Sequence, residues 1–337
     1  MAKNTVVEIS VNQIKAITGQ LNKNKFEIDN IVIEPAEEDF YFSNNANIFN
    51  NQGHRLKAVL DKLGTKSKKI SVIIPDAITY NNFKIYPNLR EKELYAAVRF
   101  QADQFIPLPL NKVNIDIDVL EETIDKKKLL IMIVAVEKTH IQKLINLFEV
   151  VGFIPERIEN QLSALGKTIT YASELKLSDS LLINFDYNTT TVYFYNEQRR
   201  LIYNSHTFQN GYNLFIKELA LFANITKAEA EKILSATQIN SNNLTEILKP
   251  ILSDFTREIY QSVNVAQSKY GSIVKNIIFT SGANKVLGLP QYTAQTIKCS
   301  LAQININNLV DLNKSKILHQ NPALANDIIN CLGGLII

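Results

Sequence analysis

The stretch Asn88 to Leu120, NLREKELYAAVRFQADQFIPLPLNKVNIDIDVL, constrains the fold more tightly than any other part of the chain. Asn88 with Glu91 three residues later forms a capping pair that can satisfy two orphan backbone donors at a helix start. Leu94, Ala97, Val98 and Phe105 share one helical face, with Arg90, Glu91 and Arg99 on the other. Pro107 and Pro109 lack backbone donors and forbid continuation, so the helix is predicted to end near Phe105. Val113, Ile115, Ile117 and Val119 then alternate with Asn114, Asp116 and Asp118, and this period of two predicts a half-buried strand. The same alternation puts Asp116 and Asp118 on the wet face of that strand and argues against a catalytic carboxylate pair.

Around this stretch the chain reads as alternating strands and helices. Thr5 to Thr18 is a hairpin turning at Asn12-Gln13, Phe26 to Ile33 a third strand, and Glu34 to Gly53 an acidic, Asn-rich surface loop. Arg55 to Leu63 is a short helix closed by Gly64, and Ile70 to Ile74 a buried strand ending at Pro75. Lys126 to Lys128 turns into a buried strand, Leu129 to Val136, followed by a helix from Thr139 to Val150 that stops at Gly152. Ile154 to Leu165 opens a helix-bearing connection and Thr170 to Ser180 a polar linker. From Leu181 to His206 three more strands repeat the opening order of the chain. Helices follow from Gly211 and Thr226, then a long amphipathic one from Thr245 to Tyr270, a strand at Ile277 to Phe279, and a last helix from Ala323 to Leu332.

Composition removes several classes. A length of 337 residues suits two domains, and 46% hydrophobic with 20% charged residues is ordinary for a globular protein. A net charge of +3 and scattered aromatics make no nucleic-acid surface. The longest apolar run, Leu129 to Val136, is far short of the roughly 20 residues that cross a bilayer, and no signal peptide is readable. Cys299 and Cys331 lack metal spacing and read as reduced thiols, and His54, His140, His206 and His319 are isolated. There is no Walker A loop and no nucleophile elbow. Glycine is scarce, 11 residues in all, so few points allow a backbone to approach a phosphate closely.

The order of helix, Phe105-Ile106-Pro107-Leu108-Pro109 and Asp-bearing strand resembles the PilM family of type IV pilus assembly proteins. The resemblance continues through Leu130 to Val136 and Val151-Gly152-Phe153-Ile154-Pro155 to Ala164-Leu165. It implies an α/β, actin-like (ribonuclease H-like) two-lobed fold with an inserted 1C-type α+β subdomain. The expected division is a first lobe over 1–78, the insertion over 79–152, a return and linker over 153–178, a second lobe over 179–310, and a C-terminal helix over 311–337 packing back on the first lobe.

The resemblance also implies an ATP site with magnesium, made by three loops. The first, normally Asp-x-Gly-(Ser/Thr), is here Glu8-Ile9-Ser10, with Lys15 beyond it; Ser10 puts a side chain where a phosphate should approach. The second is Asn184-Phe185-Asp186 followed by Thr189, and the third has the single glycine Gly282. Gly211 stands where the family tends to have a glycine pair before a helix, and Glu231 matches the family's Ala-Glu step near the ribose. Each loop is altered at its most demanding position, so nucleotide binding is expected to be weak or lost, and no residue stands out as a base for hydrolysis.

The implied role is a cytoplasmic scaffold of a pilus, or related type II secretion, platform, held at the inner membrane face by the tail of a PilN-like protein. Other platform proteins and further copies of the chain are additional expected partners, with no direct membrane insertion. Phe100, Gln104, Phe105, Ile106 and Leu108 are the expected tail contacts. The alternative is an active actin-fold ATPase or an FtsA-like filament protein, against which stands the lack of a basic amphipathic tail after the closing helix.

Overall fold

A computed structural model describes residues 3–122, 127–171, 177–240, 243–322 and 324–336. In chain order its strands are β1 (Asn4–Ile9), β2 (Gln13–Asn22), β3 (Lys25–Pro35), β4 (Lys69–Ile74), β5 (Thr79–Pro87), β6 (Val113–Glu122), β7 (Lys128–Glu137), β8 (Ile154–Asn160), β9 (Ser180–Phe185), β10 (Thr190–Asn196), β11 (Leu201–Phe208), β12 (Asn276–Ser281) and β13 (Ser300–Leu301). The helices are α1 (Ala46–Leu63), α2 (Glu91–Gln101), α3 (Lys138–Val150), α4 (Gln161–Tyr171), α5 (Tyr212–Ala223), α6 (Lys227–Ala236), α7 (Leu244–Tyr270), α8 (Leu289–Ile297), α9 (Lys316–Gln320), α10 (Leu324–Asp327) and α11 (Ile329–Gly334).

Two five-stranded sheets have one topology. The first runs β3-β2-β1-β4-β8 and the second β11-β10-β9-β12-β13. In each, the three opening strands are antiparallel neighbours, and the two later strands lie parallel to the first. Parallel pairs need crossover helices, and these cover the sheet faces. That is why β1 and β9 are apolar on both faces: Val6 and Val7 enter different cores, as do Leu181 and Leu182. Between β4 and β8 the chain builds a separate three-stranded sheet, β5-β7-β6, with α2 packed through Leu94 and Val98 onto Leu129, Ile131 and Ile133.

The terminal helices close the structure over α4. At Gly333 an added Cβ would lie 1.8 Å from the Ala164 carbonyl oxygen, and at Gly334 2.5 Å from a Val6 methyl. Only glycine permits this approach. Arg157 of β8 donates from Nη1 to the Ile336 carbonyl at 2.6 Å and from Nη2 to the Gly334 carbonyl at 2.8 Å, holding the end of α11.

Several sequence expectations are corrected. The α1 helix begins at Ala46, inside the predicted loop, because the Asn45 side chain accepts from the Asn47 N–H at 2.8 Å and Gln52 and Gly53 are buried. The N-cap of α2 is Arg90, not Asn88; the Arg90 N–H donates to Glu93 at 3.2 Å. A bulge between Val119 and Glu121 turns Val119 outward and Leu120 toward the core. Ile154–Asn160 is the edge strand β8 before it is any helix. The last helix is broken into α10 and α11. Its proposed first residue Ala323, Lys126 of the second turn, and residues 172–176 of the 170–180 linker lie outside the described residues.

Candidate functional site: an interlobe polar cluster and an intersheet groove

The first two hairpin turns bring the sequence-selected residues Glu8, Lys15, Asn184 and Asp186 to one buried place. Glu8 and Lys15 are directly opposed across β1 and β2, with Nζ 3.7 Å from Oε1. Glu8 is fully buried, a position an acid tolerates only when paired and hydrogen-bonded. Its partner besides Lys15 is Gln161, whose Nε2 donates to Glu8 Oε1 at 2.7 Å and to Asp186 Oδ2 at 3.4 Å. The Gln161 Oε1 in turn accepts from Asn184 Nδ2 at 3.0 Å and from the Asp76 N–H at 3.1 Å. Sequence reasoning missed Gln161, which is the node of the cluster, and nothing in its neighbourhood marks it except a polar pair, Asn160-Gln161, at a strand-to-helix joint.

Asp76 was missed as well. It follows β4 and accepts from the Tyr193 hydroxyl at 2.6 Å and the Leu162 N–H at 3.3 Å. Burial raises its carboxyl to about 6, although those hydrogen bonds pull the other way. Burial likewise raises Asp186, opposed by Lys15. For Lys15, burial works against the ammonium, but Glu8, Asp186 and Asp327 outweigh it and its pKa is raised. Toward the cleft mouth, Asn12 Nδ2 donates to the Tyr212 hydroxyl at 2.7 Å, and the Tyr187 hydroxyl donates to Glu38 at 2.7 Å.

The remaining candidates are placed as follows. The Ser10 hydroxyl donates to the Gln13 carbonyl at 3.2 Å and accepts from the Gln13 N–H, so it ties its own turn. Thr189 is buried and its carbonyl accepts from the Asp186 N–H at 3.0 Å. Gly211 packs its Cα face on Asp186 and Tyr187 carbonyls, each 2.4 Å from an added Cβ. Gly282, at φ +72°, packs against the Phe185 carbonyl oxygen, which would lie 2.0 Å from an added Cβ. Glu231 is exposed on α6, within electrostatic reach of Tyr187 and Tyr212. A cavity of 420 Å³ opens between the turns, lined among others by Val11, Ala77, Thr189, Asn213 and Lys217.

As arranged, this cluster does not fit a phosphate chain with its magnesium. The close approach that glycine allows at 211 and 282 is used by backbone carbonyls, which repel phosphate. Polar atoms without a hydrogen-bond partner include Asn12 Oδ1, Asn184 Oδ1, Asn210 Oδ1 and Asn213 Oδ1, all acceptors, whereas an anion needs donors. Among the described residues, no group of three or more His, Cys, Asp or Glu side chains is placed to hold a metal ion.

A second feature lies between the inserted sheet and the first lobe. It is a groove of 260 Å³ with an apolar floor that includes Ile74, Val134, Ile141 and Ile158 and a polar rim that includes Asn114 and Asn160. Both β6 and β8 are terminal strands of their sheets, so backbone edges border it. The residues singled out as tail contacts lie elsewhere. Phe100 is 86% exposed on α2 and Gln104 is exposed beside it. Phe105 is half-buried under Lys84, whose Nζ lies 5.4 Å from the ring centroid. Leu108 packs against the small core of Ala102, Val113 and Ala135. Ile106 belongs to that core at 4% exposure and packs within its own subdomain. The α2 side of the sheet carries Ile131, Ile133 and Ala135; Val134 and Val136 point the opposite way, into the groove.

Two sheets of identical topology, facing each other over a polar cleft, with a third sheet inserted in the first lobe, define an actin-like two-lobed α/β protein. Solved structures agree. The chain superposes on a "PilM-PilN type IV pilus biogenesis complex" chain with a TM-score of 0.83 at 15% identity, covering 99% of this chain and 97% of that one. It matches the ethanolamine utilization protein EutJ from Carboxydothermus hydrogenoformans at 0.56 and 8%, over 100% and 90%. It matches MreB 5 of Spiroplasma citri bound to AMPPNP at 0.50 and 10%, over 96% and 97%. A family model described as "Type IV pilus assembly protein PilM" covers residues 6–327. The chain belongs to that PilM family. No helix of the described residues is long and apolar enough to cross a membrane.

Proposed function

We propose that this protein is a docking scaffold of a type IV pilus assembly platform, that residues 79–152 act as its inserted docking subdomain, and that the tail of a PilN-like membrane protein seats in the groove between that subdomain and the first lobe. Nucleotide binding in this reading is weak or lost, and the protein reaches the inner membrane face through its partner. The observation that carries the proposal is the groove itself. Its floor of Ile74, Val134, Ile141 and Ile158 is only partly filled by the protein, and its borders are strand edges. An extended peptide gains main-chain register from an edge and affinity from alternate side chains in apolar pockets. The family and the similar solved PilM–PilN complex support the choice of partner.

Calorimetry of the full chain with a synthetic peptide of the PilN-like protein's cytoplasmic tail tests this. Binding that Ile158→Asp abolishes is the expected result. Binding that survives Ile158→Asp but is lost in Phe100→Asp would move the site to the outer face of α2. No heat with the peptide would remove the docking function.

A further inference from the structure

The charged groups and several amides that meet in the interlobe cleft are paired within the protein, while the amide oxygens of Asn12, Asn184, Asn210 and Asn213 are left without a hydrogen bond. Lys15 has a side chain only 6% exposed, and a buried ammonium without a neutralising partner is strongly unfavourable. Its neighbours are Glu8 at 3.7 Å and the charges of Asp186 and Asp327. Tyr212 is buried, with its ring edge-on to Phe185 at 5.8 Å and Tyr187 at 5.3 Å and the Lys285 ammonium 5.4 Å from its centroid. Hydrogen bonds that cross the cleft between the lobes include Asn12 to Tyr212, Tyr187 to Glu38, Asn184 to Gln161, Gln161 to Asp186 and Tyr193 to Asp76. Each has one partner on either side, so opening the lobes would break them together and strand buried donors and acceptors.

We infer that the buried part of the cleft, beside the 420 Å³ cavity between the turns, is occupied by the protein itself. Lys15 stands as the resident cation among Glu8, Asp186 and Asp327, Tyr187 and Tyr212 pack edge-on with centroids 5.3 Å apart, and the lobes are held closed by these contacts and not by a bound nucleotide. The inference rests on the reading that nucleotide binding is weak or lost, and extends it to what replaces the nucleotide. An actin-like cleft that depends on a ligand for closure must leave its carboxylates and amides available to it. Here Gln161 spends both ends of its amide on the two lobes, and Lys15 is turned to an acid on the adjacent strand.

Spin labels at Lys57→Cys on α1 and Lys232→Cys on α6, both exposed positions, read the interlobe distance in the full chain with Cys299→Ser. Cys331 is fully buried and stays. Pulsed dipolar spectroscopy is expected to give one narrow distance that Mg-ATP does not change. Lys15→Met is expected to lengthen and broaden it, and Lys15→Arg to keep it narrow. A broad distribution that collapses only when Mg-ATP is added would overturn the inference, and so would a folded Lys15→Met protein with the parent's distance. If Lys15→Met does not fold, Asn12→Ala combined with Tyr187→Phe removes two of these bonds while leaving Lys15 and its acids in place, and is read by the same criteria. Calorimetry with the tail peptide on these samples scores the docking proposal separately, since peptide binding is insensitive to whether the distance responds to nucleotide.

Discussion

The cleft and the groove are both junctions between sheets, and they have opposite linings. In the cleft, side chains from both lobes reach across and pair: Gln161 alone touches Glu8, Asn184, Asp186 and the Asp76 backbone, and the 420 Å³ cavity beside them is bordered by polar turns. In the groove, branched aliphatic side chains from both walls stop short of each other and leave 260 Å³. Polar groups at a junction satisfy themselves or cost free energy, so a cleft without a ligand consumes its own donors. Apolar walls incur no such penalty and can wait for an occupant. If the tail docks as proposed, this member of an actin-like class has its ligand-accepting surface beside the first lobe and a structural joint where a nucleotide would sit.

The largest loss of stability is expected where α11 packs on α4, behind the cleft residue Gln161 at the start of α4. Gly333→Ala would set a Cβ 1.8 Å from the Ala164 carbonyl, a backbone atom that cannot yield without moving α4. A loss of about 3 kcal/mol or more is expected, in the range of strong overpacking, with a lower urea midpoint as the readout. In the groove the largest effect is on binding. Ile158→Asp places a carboxylate on the apolar floor and is expected to weaken the tail peptide by about 2–3 kcal/mol, typical of a central anchor. The chain's own stability should change less, because Ile158 is only half-buried.

How far these two junctions could be read from sequence depends on where their residues sit along the chain. The paired hairpins were legible because apolar residues recur along β1, β2, β9 and β10 on either side of short polar turns. The strands β5 and β8 were not recognised as strands: TYNNFKIYP and IPERIEN are edge segments with wet faces and no clean alternation. The hairpin turns carrying Glu8, Lys15, Asn184 and Asp186 could be located from the family pattern, and the fold gathers them. The joint itself was hidden, since Asp76 and Tyr193 are 117 positions apart and Gln161 is 153 from Glu8. Only tertiary convergence makes an isolated Gln or Tyr a node. Ile106 illustrates the converse, a residue beside two prolines that looks presented to a partner and packs beneath its own turn.

A pH experiment sharpens the cleft side. Burial holds Asp76 at about 6 in the folded protein, above the roughly 3.9 of an unfolded chain. The folded state therefore keeps a proton that the unfolded state has lost, and stability falls as pH rises from about 4 to 6, by up to about 3 kcal/mol from this group. Asp76→Asn removes that slope. The variant is expected to be more stable than the parent at pH 7 by about 1–2 kcal/mol, part of the gain being offset by an altered bond to Tyr193. Near pH 4 the advantage should vanish. Urea midpoints across this range give the difference curve, and a flat difference would mean that Asp76 is not held as a buried acid.

A smaller loss is expected from Tyr212→Phe. It keeps the ring that packs on Phe185 and Tyr187 and deletes only the acceptor for Asn12, a loss of about 1 kcal/mol. Binding of the tail peptide should be unaffected.

Phe100→Asp should change least, which makes it useful for separating two surfaces of the inserted sheet. At 86% exposure the Phe100 ring contributes little to the core that α2 shares with the sheet, and substitutions at such positions usually fall within about 0.5 kcal/mol. The α2 side chains that fix the helix, Leu94 and Val98, pack toward Ile131 and Ile133, whereas the groove is lined by Val134 and Val136 on the opposite sheet face. A tail seated in the groove has the thickness of a β-sheet between it and Phe100. Unchanged peptide affinity in Phe100→Asp, beside a large loss in Ile158→Asp, is the pattern that groove docking requires; the reverse pattern would assign the tail to the helix face and leave the groove without a role.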